Sequence, residues 1–132
     1  MGPDRGRFGS QLPDIRVPPP GPMSRSFADR LRKVESRNVT HITDSWPVFW
    51  DEAAGTNVRD ADGNVFIDLT SAFGVAFLGH TSPTARSAIA DQSGRLIHGM
   101  GDIHPPTKKL ELLERLAAIA PWPEARVVLS ST

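Results

Sequence analysis

The sequence predicts a mixed α/β chain: an N-terminal helix, a three-stranded antiparallel meander, two further helices and a closing strand. Three observations carry this. Asp62-Gly63 lies between the short apolar runs Val58 to Asp60 and Val65 to Leu69, a hairpin signal because it supplies the positive φ of a tight turn. Two later stretches repeat apolar residues at helical spacing. Last, Ala125-Arg126-Val127-Val128-Leu129-Ser130 is a short β-branched run, the pattern of a strand buried on both faces.

The elements follow in order. Met1 to Pro22 holds six prolines and no apolar period, so residues 1–24 read as a flexible Pro/Gly-rich arm. Arg5 and Arg7 precede no apolar stretch, so it does not read as a secretory leader. Ser26 is the expected cap of the first helix, with Phe27, Leu31 and Val34 on one stripe. The meander is expected from Pro47 to Leu69, with turns near Ala54-Gly55 and Asp62-Gly63. A Gly-punctuated loop runs from Ser71 to His80. Ser82-Pro83 then opens a helix, with proline at its first position. Gly94 weakens that helix and Gly99 is its expected stop. Pro105-Pro106 opens the next helix, and Pro121 and Pro123 end it.

Composition excludes several function classes. The 132 residues hold 15 Lys+Arg and 15 Asp+Glu, so there is no positive field for nucleic acid or a membrane surface. No cysteine is present, which removes disulfides, thiol nucleophiles and Cys-based zinc sites. No apolar run approaches the roughly 20 residues of a membrane span. His80, His98, Asp102 and His104 lack metal-ligand spacing and sit beside Gly99 and Gly101, so no metal is expected. Ser130-Ser131 lacks the glycines of a nucleophile elbow. Phe73 and Phe77 read as core residues, and Trp46 and Trp50 as packing residues of the meander.

Nothing after Val127-Val128-Leu129 flanks that run. Two readings stand. The chain is part of a longer α/β protein, or it is a small α+β domain whose last strand pairs with the meander.

An ordered series of strings resembles the start of a class III aminotransferase, the fold type I enzymes that use pyridoxal 5′-phosphate (PLP). It runs from Pro47-Val48-Phe49-Trp50 through Ala54-Gly55, Val58 to Asn64, Phe66-Ile67-Asp68, Phe73-Gly74-Val75 and Gly79-His80. It continues through Pro83, Gln92, Leu96-Ile97-His98, Pro105-Pro106 and the Leu110 to Leu116 helix to Val127–Thr132. The resemblance implies a small-domain segment over 25–104 and the start of an incomplete PLP-binding large domain over 105–132. It implies transfer of an amino group from an amino acid or amine to a 2-oxo acid, in a cytoplasmic homodimer.

Residue roles follow from the resemblance alone. Phe73, Gly74 and Val75 match the wall of the substrate pocket. Ser131 and Thr132 match the approach to the cofactor phosphate, where the family opens a helix whose free N–H groups hold the anion. His98, Asp102 and His104 match a loop that reaches toward the partner subunit. No residue matches the Schiff-base lysine. Lys33, Lys108 and Lys109 read as solvated surface lysines, so this chain alone is expected to be inactive, with no PLP bound. The alternative function is a non-catalytic α+β protein-interaction module.

Overall fold

The computed structural model describes residues 7–130. The chain divides into two compact units, Met1–Arg86 and Ser87–Thr132.

The first unit is built on the expected meander. Strands β1 (Trp50–Ala54), β2 (Asn57–Asp60) and β3 (Val65–Ile67) pair antiparallel in the order β1-β2-β3. Ala54 faces Asn57 around Gly55, and Arg59 faces Val65. The second turn is longer than the Asp62-Gly63 pair suggests. Asp60 N–H donates to Asn64 O, Gly63 N–H donates to Asp60 O, and Gly63 has φ 83. That is a three-residue connection with glycine at its left-handed position. The Asp60 carboxylate selects it, since Oδ1 accepts from the N–H groups of both Asp62 and Asn64.

The N-terminal segment departs from the flexible arm expected for 1–24. Residues 1–6 lie outside the described residues. From Gly9 to Val17 the backbone is bonded to the sheet. Asp14 and Val65 exchange two backbone bonds, at 2.9 and 2.8 Å. The Asn57 amide accepts from Gly9 N–H and Gln11 N–H and donates to Gln11 O and Phe66 O. The Asn64 amide accepts from Arg16 N–H and Val17 N–H, and donates to Asp60 Oδ2. The bonds that tie residues 9–17 to Asn57, Asn64 and Val65 each span more than 40 residues of sequence, so local composition does not reveal them.

Helix α1 spans Pro22–Leu31, beginning earlier than the expected Ser26 cap. Pro22 occupies the first turn, where its missing N–H costs nothing. The cap comes from the hairpin tip instead: Asp62 Oδ1 and Oδ2 accept from Met23 N–H and Ser24 N–H at 2.7 and 2.9 Å. Burial acts to raise the Asp62 carboxyl; the Ser24 and Met23 N–H groups outweigh it and hold it below its ordinary range. Val34 falls beyond the helix. Phe27 meets Phe49 edge to face at 5.6 Å.

The core of this unit is small and half polar. Val58, Val65 and Ala28 are buried with Asn57, Asn64, Asp60 and Ser24. Burying such polar groups is tolerable only because they are bonded; no buried side-chain nitrogen or oxygen among the described residues lacks a partner.

Helix α2 is the short Ser71–Gly74 turn. Helix α3 (Pro83–Ser93) starts at the expected proline but stops before Gly94 rather than running to Gly99. In the second unit, helix α4 (Thr107–Ala118) begins after Pro106 as expected. No residue of α3 or α4 is buried. The strand expected at Ala125–Ser130 does not form: these residues belong to no strand and pair with none among the described residues, and Val128 is exposed. A strand is defined by its ladder, and a β-branched run alone does not supply one.

Candidate functional site

The chain leaves β3 at Ile67 and enters a turn with unusual backbone. Ser71, Ala72, Phe73 and Gly74 have φ of 51, 49, 57 and 83. Three of the four are not glycine. At ~1–2 kcal/mol for each left-handed residue with a Cβ, the turn carries roughly 3–6 kcal/mol of backbone strain. Gly74 N–H donates to Thr70 O at 2.9 Å and closes it.

Asp68 lies beneath this turn. Its Oδ1 accepts from Thr70 N–H and from the Thr70 hydroxyl at 2.9 and 2.8 Å. Its Oδ2 accepts from Ala72 N–H at 2.7 Å and meets His80 Nε2 at 2.8 Å. The His80 imidazole above all, then the Thr70 hydroxyl and the two backbone N–H groups, hold the Asp68 carboxyl far below the usual carboxylate range. His80 is itself fixed, because its backbone N–H and C=O both pair with Gly55. Its ring stands edge to face with Trp50 at 6.0 Å.

On top of the turn the side chains point into solvent. Phe73 is 99% exposed, and Val75 and Phe77 are nearly as open. Neither phenylalanine is a core residue of this unit, contrary to the composition-based expectation. Trp46 and Trp50 are likewise more than half exposed. A strained, rigidly held backbone carrying open apolar groups presents a surface.

The other sequence-predicted residues lie elsewhere. His98, Asp102 and His104 belong to the second unit, where Met100 and His104 exchange backbone bonds at 3.0 and 3.3 Å across a tight loop. Gly99 there packs so close to Pro106 that a Cβ would sit 2.7 Å from its Cδ. Ser131 and Thr132 lie outside the described residues. Among the described residues no group of three or more His, Asp or Glu is placed to hold a metal ion, and no helix is long and apolar enough to cross a membrane.

The Asp68–His80 pair was not singled out by sequence reasoning. The signal available was Asp68-x-Thr70, a spacing at which a carboxylate bonds the backbone two residues on. Its reach to His80 depends on the Gly55–His80 bridge, which no local pattern announces.

The profile of class-III aminotransferases matches residues 38–132, which include the whole meander and the Phe73 turn. The chain belongs to the class-III aminotransferase family. It is 35% identical over 102 residues to the 4-aminobutyrate aminotransferase of Mycobacterium leprae, covering 77% of this chain and 22% of that protein. It is 34% identical over 122 residues to the adenosylmethionine-8-amino-7-oxononanoate aminotransferase of Nitratidesulfovibrio vulgaris, covering 84% and 22%. An alanine/serine racemase of Pyrococcus horikoshii is 28% identical over 118 residues, 89% of this chain and 24% of the racemase. The chain thus spans about a quarter of the length of the curated relatives it matches.

The family is one of PLP enzymes, and the residues of this span do not fit the cofactor's covalent anchor. Such a lysine must be desolvated to act as an amine. Lys108 Nζ donates to Glu111 Oε2 at 2.6 Å in a pair about half exposed on both sides. Lys109 Nζ reaches Gly101 O. Lys33 lies exposed just beyond α1.

Proposed function

We propose that this chain is the N-terminal portion of a PLP-dependent transaminase that moves an amino group from an amino acid or amine to a 2-oxo acid. The observation that carries the reading is the family match across the rigidly held, solvent-facing Phe73 turn. Phe73, Gly74 and Val75 border the substrate, and Gly74, without a Cβ, leaves room beside the ring. The cofactor supplies the electron sink when bound. This segment contributes shape: an apolar edge that orients the substrate's side chain and keeps water from it. Transamination is favoured over the racemase chemistry named for one relative because two of the relatives above carry aminotransferase names.

The same reading makes the whole protein a cytoplasmic homodimer with no need of nucleic acid, membrane or metal. The loop with His98, Asp102 and His104 extends toward the partner subunit's active site, and Ser131 and Thr132 approach the cofactor phosphate. The chain by itself does not catalyse the reaction.

Two measurements test this. The chain mixed with PLP and desalted retains no borohydride-trappable adduct; a stoichiometric adduct at one lysine overturns the assignment of an anchor outside this span. In a longer chain that carries the Schiff-base lysine, Phe73→Ala changes the ratio of kcat/KM between small and bulky amines. An equal fall for every amine, together with the roughly 3–5 kcal/mol loss typical of a core phenylalanine, overturns the pocket-wall role.

A further inference from the structure

Every side-chain bond described for the Ser71–Gly74 turn ends on one carboxylate. Asp68 binds Thr70 through N–H and hydroxyl, Ala72 through N–H, and His80 through Nε2, all within 2.9 Å. The Asp68 side chain is 5% exposed and that of His80 13%. Phe73, by contrast, is 99% exposed, so burial of its ring does nothing to offset the left-handed backbone. His80 is bonded on both backbone sides to Gly55, at the turn joining β1 and β2. Thr81 extends that anchorage, its hydroxyl donating to Ala53 O at 2.9 Å. The carboxylate therefore joins a strained turn, through His80, to the turn between β1 and β2.

We infer that Asp68 and His80 are positioning residues that hold the Ser71–Gly74 turn in its left-handed form, and so set the selectivity of the amine site that Phe73 borders. This rests on the reading of Phe73 to Val75 as the pocket wall. A non-glycine residue freed from its tether returns to the broad right-handed or extended regions of φ,ψ space. The Cα–Cβ bond of Phe73 turns with its backbone, and the ring leaves its place. The sheet keeps its own ladder and is not required to unfold. Neither Asp68 nor His80 needs to reach the exposed face to act in this way.

The test is amide hydrogen exchange on the chain, read residue by residue in wild type, Asp68→Asn, His80→Asn and the double variant Asp68→Asn/Ala72→Gly. In Asp68→Asn, exchange at Ala72 and Gly74 rises by about tenfold or more, while Val58 and Arg59 in the central strand keep their rates. His80→Asn produces a smaller rise at the same amides, and serves as the test if Asp68→Asn does not fold. Adding Ala72→Gly to Asp68→Asn recovers part of the protection at Gly74, because glycine adopts positive φ without a Cβ clash. A merely structural carboxylate would not be rescued at that position. Unchanged rates at Ala72 and Gly74, or an equal rise at Val58, overturns the inference.

Selectivity is read in the longer chain that carries the Schiff-base lysine. Asp68→Asn shifts the small-to-bulky amine ratio in the same direction as Phe73→Ala. A shift with Phe73→Ala but none with Asp68→Asn overturns the positioning role. No shift with Phe73→Ala overturns the pocket-wall reading instead, and the exchange result then bears on the turn alone.

Discussion

The two units solve the problem of holding a short chain together in opposite ways. In the first, a sheet of 12 strand residues is tied to the segment before it by two buried amides, Asn57 and Asn64, and to α1 by the Asp62 carboxylate. In the second, α4 carries Leu110 and Leu112 exposed, Ile119 is exposed just past its end, and no residue of the helix is buried. Its ion pair, Lys108 with Glu111, is an exposed neighbour pair three residues apart, a kind that adds little. Long-range polar bonds with buried partners specify one arrangement, whereas an amphipathic helix specifies only which face seeks cover.

Substitutions sharpen that contrast. Asn64→Ala has the largest expected effect. It strips partners from Arg16 N–H, Val17 N–H and Asp60 in a buried site, and lowers stability by about 2–4 kcal/mol in urea denaturation. A loss under ~0.5 kcal/mol would break the comparison, since the amide would then be no clamp.

Acid is the second probe. Asp68 and Asp62 both titrate below the ordinary 3.8 in the folded unit. A depressed folded pKa gives stability that is complete above the unfolded value and disappears as pH falls through the folded one. The melting temperature is therefore level down to about pH 4 and falls below it. Asp68→Asn flattens part of that fall. An unaltered acid profile in this variant contradicts the bonding assigned to Asp68.

Ala72→Gly acts in the other direction. Relief of the left-handed penalty at φ 49 exceeds the entropy that glycine loses, for a net gain of about 0.5–1 kcal/mol in the same denaturation experiment. Leu112→Ala in α4 has the smallest effect, within about 0.5 kcal/mol, as for an exposed position outside a packed core. A loss of ~2 kcal/mol or more would show that this helix face is covered in solution, and would erase the difference between the units.

The site was legible in parts. Phe73-Gly74-Val75 could be marked by resemblance, and the structure finds them on an exposed, strained turn. Asp68 and His80 stand in the same series of strings, but their contact joins residues 12 apart through a bridge at Gly55. Phe73 and Phe77 misled because a large apolar side chain defaults to the interior, and exposure is a property of the surroundings.

What the sequence determined by itself was local. Asp62-Gly63 and Gly55 place the turns, Pro83 and Pro106 place two helix starts, and short-range backbone geometry is enough for each. Only the tertiary structure decided the rest. Asp62 begins α1 from a hairpin tip almost 40 residues away in the chain, Asn57 and Asn64 order a proline-rich segment that composition reads as loose, and Val127 to Leu129 finds no ladder. Each of these depends on a partner remote in sequence, and a hydrogen-bond donor or a β-branched residue carries no record of which partner it will meet.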